Sequence, residues 1–263
     1  MRTNEVKAKL KRGEISPGAW LNLPGVTPAR VMARLGFDWL AIDTEHSAQN
    51  PSLVADMIAT IADARTCAPL VRLPQNSSNW FKWVLDAGAW GVIVPMVNNA
   101  QEARQAVTWA KYPPIGVRSI GGIFGGYGFG ISDVKSYVHD ANNEILVAVQ
   151  IESVQALENI DEILSVPEID VAFVGPNDLH AQLGLPPSTE GTEPAFMAAL
   201  ETIKQAARRH NVALGMFSGN GDAAAQRFRE GFQMVSITTD LSCLITSATQ
   251  QLKSAKSYNL VEP

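Results

Sequence analysis

A chain of 263 residues that is 46% hydrophobic and 18% charged, with a net charge of −5, has the balance of a soluble globular protein near the upper size of one hydrophobic core. No basic excess is available to meet a phosphate backbone and no apolar run reaches membrane-spanning length, so neither a nucleic-acid partner nor a membrane is expected. Cys67 and Cys243 are too few for a disulfide framework and the polar start MRTNEVKAKLKRGE lacks an apolar signal core, so a reducing, cytoplasmic setting is expected.

In chain order, residues 4–12 predict a short basic helix and 18–23 a first strand. Thr27 is placed to cap a helix with Pro28 at its first position, Val31, Met32 and Leu35 on its apolar face and Gly36 at its end. Further strands fall at 39–42, leading into Asp43-Thr44-Glu45-His46; at 69–71, leading into Arg72; and at 91–94, leading into Pro95. Helical spacing covers 53–65, 80–85 (closed by Gly88) and 99–110. Residues 112–130 then form one long irregular insert, rich in glycine and aromatics, and a helix is expected over 133–141. A strand at 146–151 ends in Glu152, a helix runs over 154–164, and a strand at 171–174 ends in Gly175-Pro176-Asn177-Asp178. Strand, helix, strand is a βαβ unit, so these two strands are parallel. A Pro/Ser/Thr-rich loop at 183–194 precedes a helix at 196–210 and a strand at 212–216. A helix at 223–229, a strand at 233–237 leading to Thr238-Thr239-Asp240, and a helix at 241–253 complete the chain. Eight strands, each followed by a helix, predict a single α/β domain over 1–263, a (β/α)8 TIM barrel. A doubly wound open sheet is the rival, weakened because no glycine fingerprint follows the first strand.

A barrel gathers the carboxyl ends of its strands on one face, so Asp43, Glu45, His46, Arg72, Glu152, Asp178 and Asp240 converge. Charges at such positions are costly unless paired, metal-bound or used. Glu152 and Asp178, on neighbouring strands, suit a hard cation such as Mg2+, which takes one or two carboxylates plus water and substrate oxygens. Each also has a purely structural reading, Glu152 at the positive end of the following helix and Asp178 as a cap. Arg72 suits a substrate carboxylate or an enolate oxygen, or else a salt bridge to Glu152 or Asp43. His46 suits proton transfer, with Asp43 placed three residues earlier to orient its ring; otherwise it is a polar loop histidine. His180 lies close enough to Asp178 to be a third ligand but is expected to point outward, and His139 and His210 are expected on the surface. The glycine-rich stretch 121–130 has no Walker lysine, so it is expected to be a mobile lid or an oligomer contact rather than a phosphate cradle. Trp80 and Trp83 are expected to pack. None of the nine lysines falls at a predicted strand end, where a Schiff-base amine would be needed, which favours a metal over an imine. No GxSxG elbow is present.

The segments GFDWLAIDTEHS (36–47), VRLP (71–74), GAWGVIVPMV (88–97), YPPIGVRSIGG (112–122), VQIES (149–153) and VGPNDL (174–179) occur in an order and spacing that resemble the HpcH/HpaI aldolase family. These are metal-dependent pyruvate aldolases, and the similarity covers nearly the whole chain; the fungal macrophomate synthase is similar too. The resemblance implies a modified barrel whose last helix is exchanged between subunits, in a homo-hexamer of paired trimers. It implies metal carboxylates at Glu152 and Asp178, with Mg2+ expected and Mn2+ or Co2+ as alternatives. It places the arginine for the pyruvate ketone oxygen at Arg72, and the catalytic histidine and its aspartate at His46 and Asp43. Backbone amides for the pyruvate carboxylate fall at Asn177 and Asp178, a helix N-terminus suited to an anion. The implied reaction is reversible cleavage of a 4-hydroxy-2-oxo acid to pyruvate and an aldehyde. The alternatives are oxaloacetate decarboxylation with carbon–carbon bond formation onto a pyrone, and a non-catalytic homologue that binds a 2-oxo acid. Thr44, Asn177, the stretch 215–218 and the loop 121–130 depart from the family pattern. The last two are expected to border the aldehyde side.

Overall fold

Short runs of aliphatic and β-branched residues, buried on both faces, form the strands: β1 (Ser16–Leu21), β2 (Trp39–Asp43), β3 (Ala68–Arg72), β4 (Gly91–Val94), β5 (Leu146–Ile151), β6 (Val171–Val174), β7 (Ala213–Met216) and β8 (Met234–Thr239). The computed structural model describes residues 1–257; residues 258–263 of the expected domain lie outside that range. All neighbouring strands pair in parallel, and β1 pairs with both β2 and β8, which closes the barrel and rules out the open sheet. Helix α1 (Glu5–Lys11) precedes β1. The connections hold α2 (Val26–Met32), α3 (Pro51–Ala64), α4 (Ser78–Asp86), α5 (Ala100–Ala110), α6 (Phe124–Gly128), α7 (Val134–Glu144), α8 (Val154–Glu158), α9 (Ile160–Leu164), α10 (Pro176–Gln182), α11 (Pro194–His210) and α12 (Gly221–Arg229); α13 (Asp240–Ser257) ends the described chain.

Several helices start where a side chain supplies the missing acceptor: Asn50, Asn99, Asp133 and Asn220 each accept a first-turn N–H of the helix they precede. The expected Thr27 cap is not the start of α2. That helix begins after Gly25, whose backbone (φ 152°) lies in a region open to glycine, and Pro28 occupies its third position, where no intrahelical donor is needed. Of the expected apolar face only Met32 is buried; Val31 and Leu35 are 57% and 63% exposed. The helix expected over 154–164 divides at Asn159, whose side-chain amide turns aside to donate to the carbonyl of Asn98. Trp80 packs against the core, but Trp83 lies half exposed beside it.

The insert 112–130 is less irregular than expected, since α6 forms within it. It packs on the flank of the barrel. Gly88 and Gly128 approach so closely that a methyl group on Gly128 would lie 2.2 Å from the carbonyl oxygen of Gly88, and Phe129 stacks on Trp90 at 4.7 Å. Beneath the strands, at their amino ends, lie two buried ammonium groups. Lys7 Nζ donates to the carbonyl of Ile145 and to Asp170, and Lys111 Nζ donates to the carbonyls of Asn142 and Ile145. Burial, with Lys7 nearby, pushes Lys111 down to about 8. The chain thus has buried amines, at the end of the barrel opposite the gathered acids. The final helix α13 buries almost nothing: Leu244, Ile245 and Leu252 are each more than half exposed. Among the described residues no helix is long and apolar enough to cross a membrane.

Candidate active site

The carboxyl ends of the strands surround a cavity of about 370 Å3 whose lining includes Trp20, Asn22, Asp43, His46, Arg72, Gln150, Glu152, Asn177, Asp178, Phe217 and Thr239. Of the residues expected at this face, Asp43, His46, Arg72, Glu152, Asn177 and Asp178 line it, whereas Glu45 and Asp240 do not.

The arginine side is built by register. Parallel pairing of β2 with β3 puts Asp43 opposite Arg72. The guanidinium then donates from Nε and Nη2 to the two carboxylate oxygens of Asp43 at 2.9 and 2.8 Å, a planar fork on a planar acceptor. Its Nη1 lies 3.1 Å from Glu45, and its charge sits over the indole of Trp20 at 4.6 Å. Thr44, a departure from the family pattern, uses its hydroxyl and its backbone N–H to hold the carbonyl of Arg72. The carboxylate of Asp43 also accepts from the Asn22 side-chain amide and from the backbone N–H groups of Glu45 and His46. Burial opposes its ionisation, but the bonds and charge of Arg72 outweigh that and hold Asp43 below the usual carboxylate range.

One expectation changes here. Asp43 grips the backbone N–H of His46 and the side chain of Arg72, so its carboxylate orients the arginine rather than the imidazole. The His46 ring is 64% exposed at the rim, with Glu45 its nearest acid at 3.8 Å.

The acid side is less satisfied. Glu152, only 2% exposed, accepts from the backbone N–H of Met96 at 2.8 Å and from the side chain of Gln150 at 2.6 Å. Burial pushes its carboxyl up to about 7, against the Met96 bond, and the neighbouring charges of Asp178 and Glu45 add to the rise. Pairing of β5 with β6 aligns Ile151 with Val174, so Glu152 and Gly175 lie one step beyond, side by side. A Cβ at Gly175 would lie 1.9 Å from Glu152 Oε2, so any side chain there would displace that carboxylate. Asn177 and Asp178 follow in the first turn of α10 and are exposed to the cavity.

These donors fit a hard divalent cation: they are oxygens, and one is a buried acid that meets no cation among the described residues. Among the described residues no group of three or more His, Cys, Asp or Glu side chains forms a self-contained metal cage. Two carboxylates would hold such an ion only with water or substrate completing its shell. The oxygen Oε1 of Gln150 is buried without a partner beside them.

His180 points inward, contrary to expectation. It is fully buried, stacked on Phe196 at 3.9 Å, with Nδ1 2.6 Å from the Pro176 carbonyl and Nε2 3.3 Å from Glu193. Both ring nitrogens are engaged away from Asp178, so it anchors α10 and does not complete the acids. His139 is exposed as expected; His210 is partly covered and pairs with Asp161. Residues 121–130 do not line the cavity, whereas Phe217 does. Sequence reasoning overlooked Trp20, Asn22, Gln150 and Thr239. Each sits at or just beyond a strand end, the one signal that could have marked them.

The family model described as HpcH/HpaI aldolase/citrate lyase matches residues 17–247. A hydroxypyruvate/pyruvate aldolase of Paraburkholderia phytofirmans is 34% identical, over 97% of this chain and 98% of that one. A 4-hydroxy-2-oxo-heptane-1,7-dioate aldolase of Salmonella arizonae is 37% identical, over 93% and 92%. Among solved structures, an HpcH/HpaI aldolase from Desulfitobacterium hafniense superposes with a TM-score of 0.89 at 32% identity, covering 98% of each chain.

A depressed folded-state pKa contributes stability that is present above the unfolded value, about 3.9 for aspartate, and is lost as pH falls through the folded value. Asp43→Asn is therefore expected to lower the urea midpoint most at neutral pH, with the gap to the parent shrinking below about pH 4. A gap that stays constant from pH 7 to pH 3 would show that the Arg72 pair does not set this carboxylate.

Proposed function

The chain belongs to the HpcH/HpaI aldolase/citrate lyase family, and on that premise we propose that it is a metal-dependent aldolase that reversibly cleaves a 4-hydroxy-2-oxo acid to pyruvate and an aldehyde. The names of its relatives support a carbon–carbon lyase. The observation that carries the reading is one cavity with a fixed guanidinium, Arg72, on one side and a buried acid lacking a cation, Glu152, on the other.

Glu152 and Asp178 would hold the divalent cation, Mg2+ first, with Mn2+ or Co2+ making the same demand for oxygen donors. When bound, that ion supplies Lewis acidity toward the 2-oxo acid. Arg72 commits two of its five N–H groups to Asp43, with Nη1 beside Glu45 at 3.1 Å, and N–H groups left free donate to the ketone oxygen as enolate charge develops there. Asp43 keeps the fork oriented through that change. The backbone N–H groups of Asn177 and Asp178, in the first turn of α10, are the donors for the substrate carboxylate. His46, at the open rim, takes the proton from the 4-hydroxyl in cleavage and returns it in condensation.

Metal-free protein is expected not to exchange the methyl protons of pyruvate in D2O, followed by NMR, and to regain exchange with Mg2+, Mn2+ or Co2+. Full exchange without metal would sink the metal-dependent mechanism. Arg72→Lys is expected to lower kcat by about 100-fold or more, because a point charge does not reproduce the fork. A variant with the parent's kcat would remove Arg72 from the reaction.

We also propose a homo-hexamer that exchanges α13 between subunits. The exposed Leu244, Ile245 and Leu252 on α13, and the exposed Val31 and Leu35 on α2, support this, since such apolar faces are ordinarily covered. Cys67 and Cys243 are both free thiols, which fits the proposed cytoplasmic setting. Light scattering is expected to give several times the chain mass of 28.4 kDa, and Leu244→Asp combined with Ile245→Asp a smaller particle. A parent protein of monomer mass would overturn the exchange.

A further inference from the structure

We propose that Asn22 selects the aldehyde, its side-chain oxygen accepting a hydrogen bond from a hydroxyl on the carbon next to the aldehyde group, so that 2-hydroxyaldehydes are favoured over unsubstituted ones. This rests on the aldolase reading above.

Asn22 stands one residue beyond β1 and lines the cavity. Its backbone is held from one side, where its N–H donates to Asp240 at 2.8 Å. Its side chain is held from the other, where Nδ2 donates to Asp43 Oδ2 at 2.9 Å and to Ser47 Oγ at 3.2 Å. Both amide hydrogens are thereby committed. The amide cannot turn over, because its oxygen would then face the carboxylate of Asp43. Among the described residues no donor reaches Oδ1, and that oxygen is not sealed from solvent. The result is a fixed, unfilled acceptor.

Most other side-chain acceptors of the cavity are committed or assigned; the Asn177 amide, which also lines it, stands on α10 beside the acids, and the His46 ring is assigned to the 4-hydroxyl. The carboxylate of Asp43 accepts from Arg72, Asn22 and two backbone N–H groups. The hydroxyl of Thr239 donates to Ser242 Oγ and accepts from the Ser242 N–H. Glu152 and Asp178 are assigned to the cation, and the free oxygen of Gln150 belongs to their side. Asn22 instead bonds the segment 43–47 that carries His46, so its oxygen serves the aldehyde half. The remaining wall there is aromatic: Trp20 meets Phe217 edge-on at 5.9 Å and Phe173 at 5.9 Å. A site with one placed acceptor in an apolar wall discriminates through that bond, since an analogue lacking the hydroxyl leaves the polar group unpaired.

The test compares pyruvate addition to glycolaldehyde and to propanal, in which a methyl group replaces the hydroxyl at nearly constant size. The ratio of kcat/KM values is the readout for the parent, Asn22→Ala and Asn22→Ser, with pyruvate proton exchange in D2O measured alongside. Serine is too short to present the acceptor and keeps a polar group near Asp43 and Ser47, and it serves if the alanine variant does not fold. The parent is expected to favour glycolaldehyde, and the variants to lower the ratio by about tenfold or more. Because Asn22 also bonds Asp43, exchange is expected to fall in the variants, and a loss in that shared step scales both aldehydes alike and leaves the ratio readable. An unchanged ratio, or a parent without preference, overturns the role of Asn22. A metal-supplemented parent that exchanges no pyruvate protons removes the aldolase reading, and this inference with it.

Discussion

The bidentate pair between Asp43 and Arg72 is the constraint on which the rest of the site depends. It exists because β2 and β3 pair in parallel with those two residues at the same level. A long, flexible side chain becomes a fixed one, with Trp20 beneath it and Glu45 at its open edge. Both partners are largely buried, so removing either strands a charge in a poor solvent, which typically costs about 3–5 kcal/mol. Asn22, Thr44 and two backbone N–H groups all serve to keep this pair in place. What is held so firmly is a positive charge whose remaining donors are free to act.

Across the cavity the balance is reversed. Glu152 is buried with less stabilisation than its charge requires, near two further acids. The contrast with the opposite end of the barrel is instructive. There the buried Lys7 and Lys111 are met by carbonyls and by Asp170, a finished arrangement that ties α1 and the insert after α5 to the strands above. Among the described residues Glu152 and Asp178 have no such cationic partner, and an unfinished set of charges at the strand ends is where ligands go in this fold. Gly175 has a similar logic: the absence of a side chain there is what lets Glu152 stand upright beside β6.

Much of this was legible in sequence. Apolar runs locate each strand to within about two residues, and the parallel βαβ unit around Glu152 and Asp178 follows from its spacing. Errors fell where a side chain's direction is set by distant partners. His180 was expected outward because an early helical position offers no local clue; Phe196 and Glu193 turn it inward. Asp43 was matched with the imidazole of His46 because the two are near in sequence, but Arg72, twenty-nine residues on, claims the carboxylate first. The loop 121–130 is expected at the aldehyde side because it departs from the family pattern, but its glycine contact with Gly88 carries it to the flank.

By itself, then, the sequence determined the order and kind of the elements and which acids, arginine and histidine stand at strand ends. Those follow from local periodicity, which needs no knowledge of the partner strand. Only the tertiary structure decided who pairs with whom. Closure of β1 on β8 brings Asp240 to Asn22, and register brings Asp43 to Arg72. These contacts join residues up to 218 positions apart, and no spacing along the chain encodes them. The apolar face of α2 makes the same point: its residues are of the right type, but among the described residues nothing covers Val31 and Leu35, because a helix buries only the face its neighbours reach.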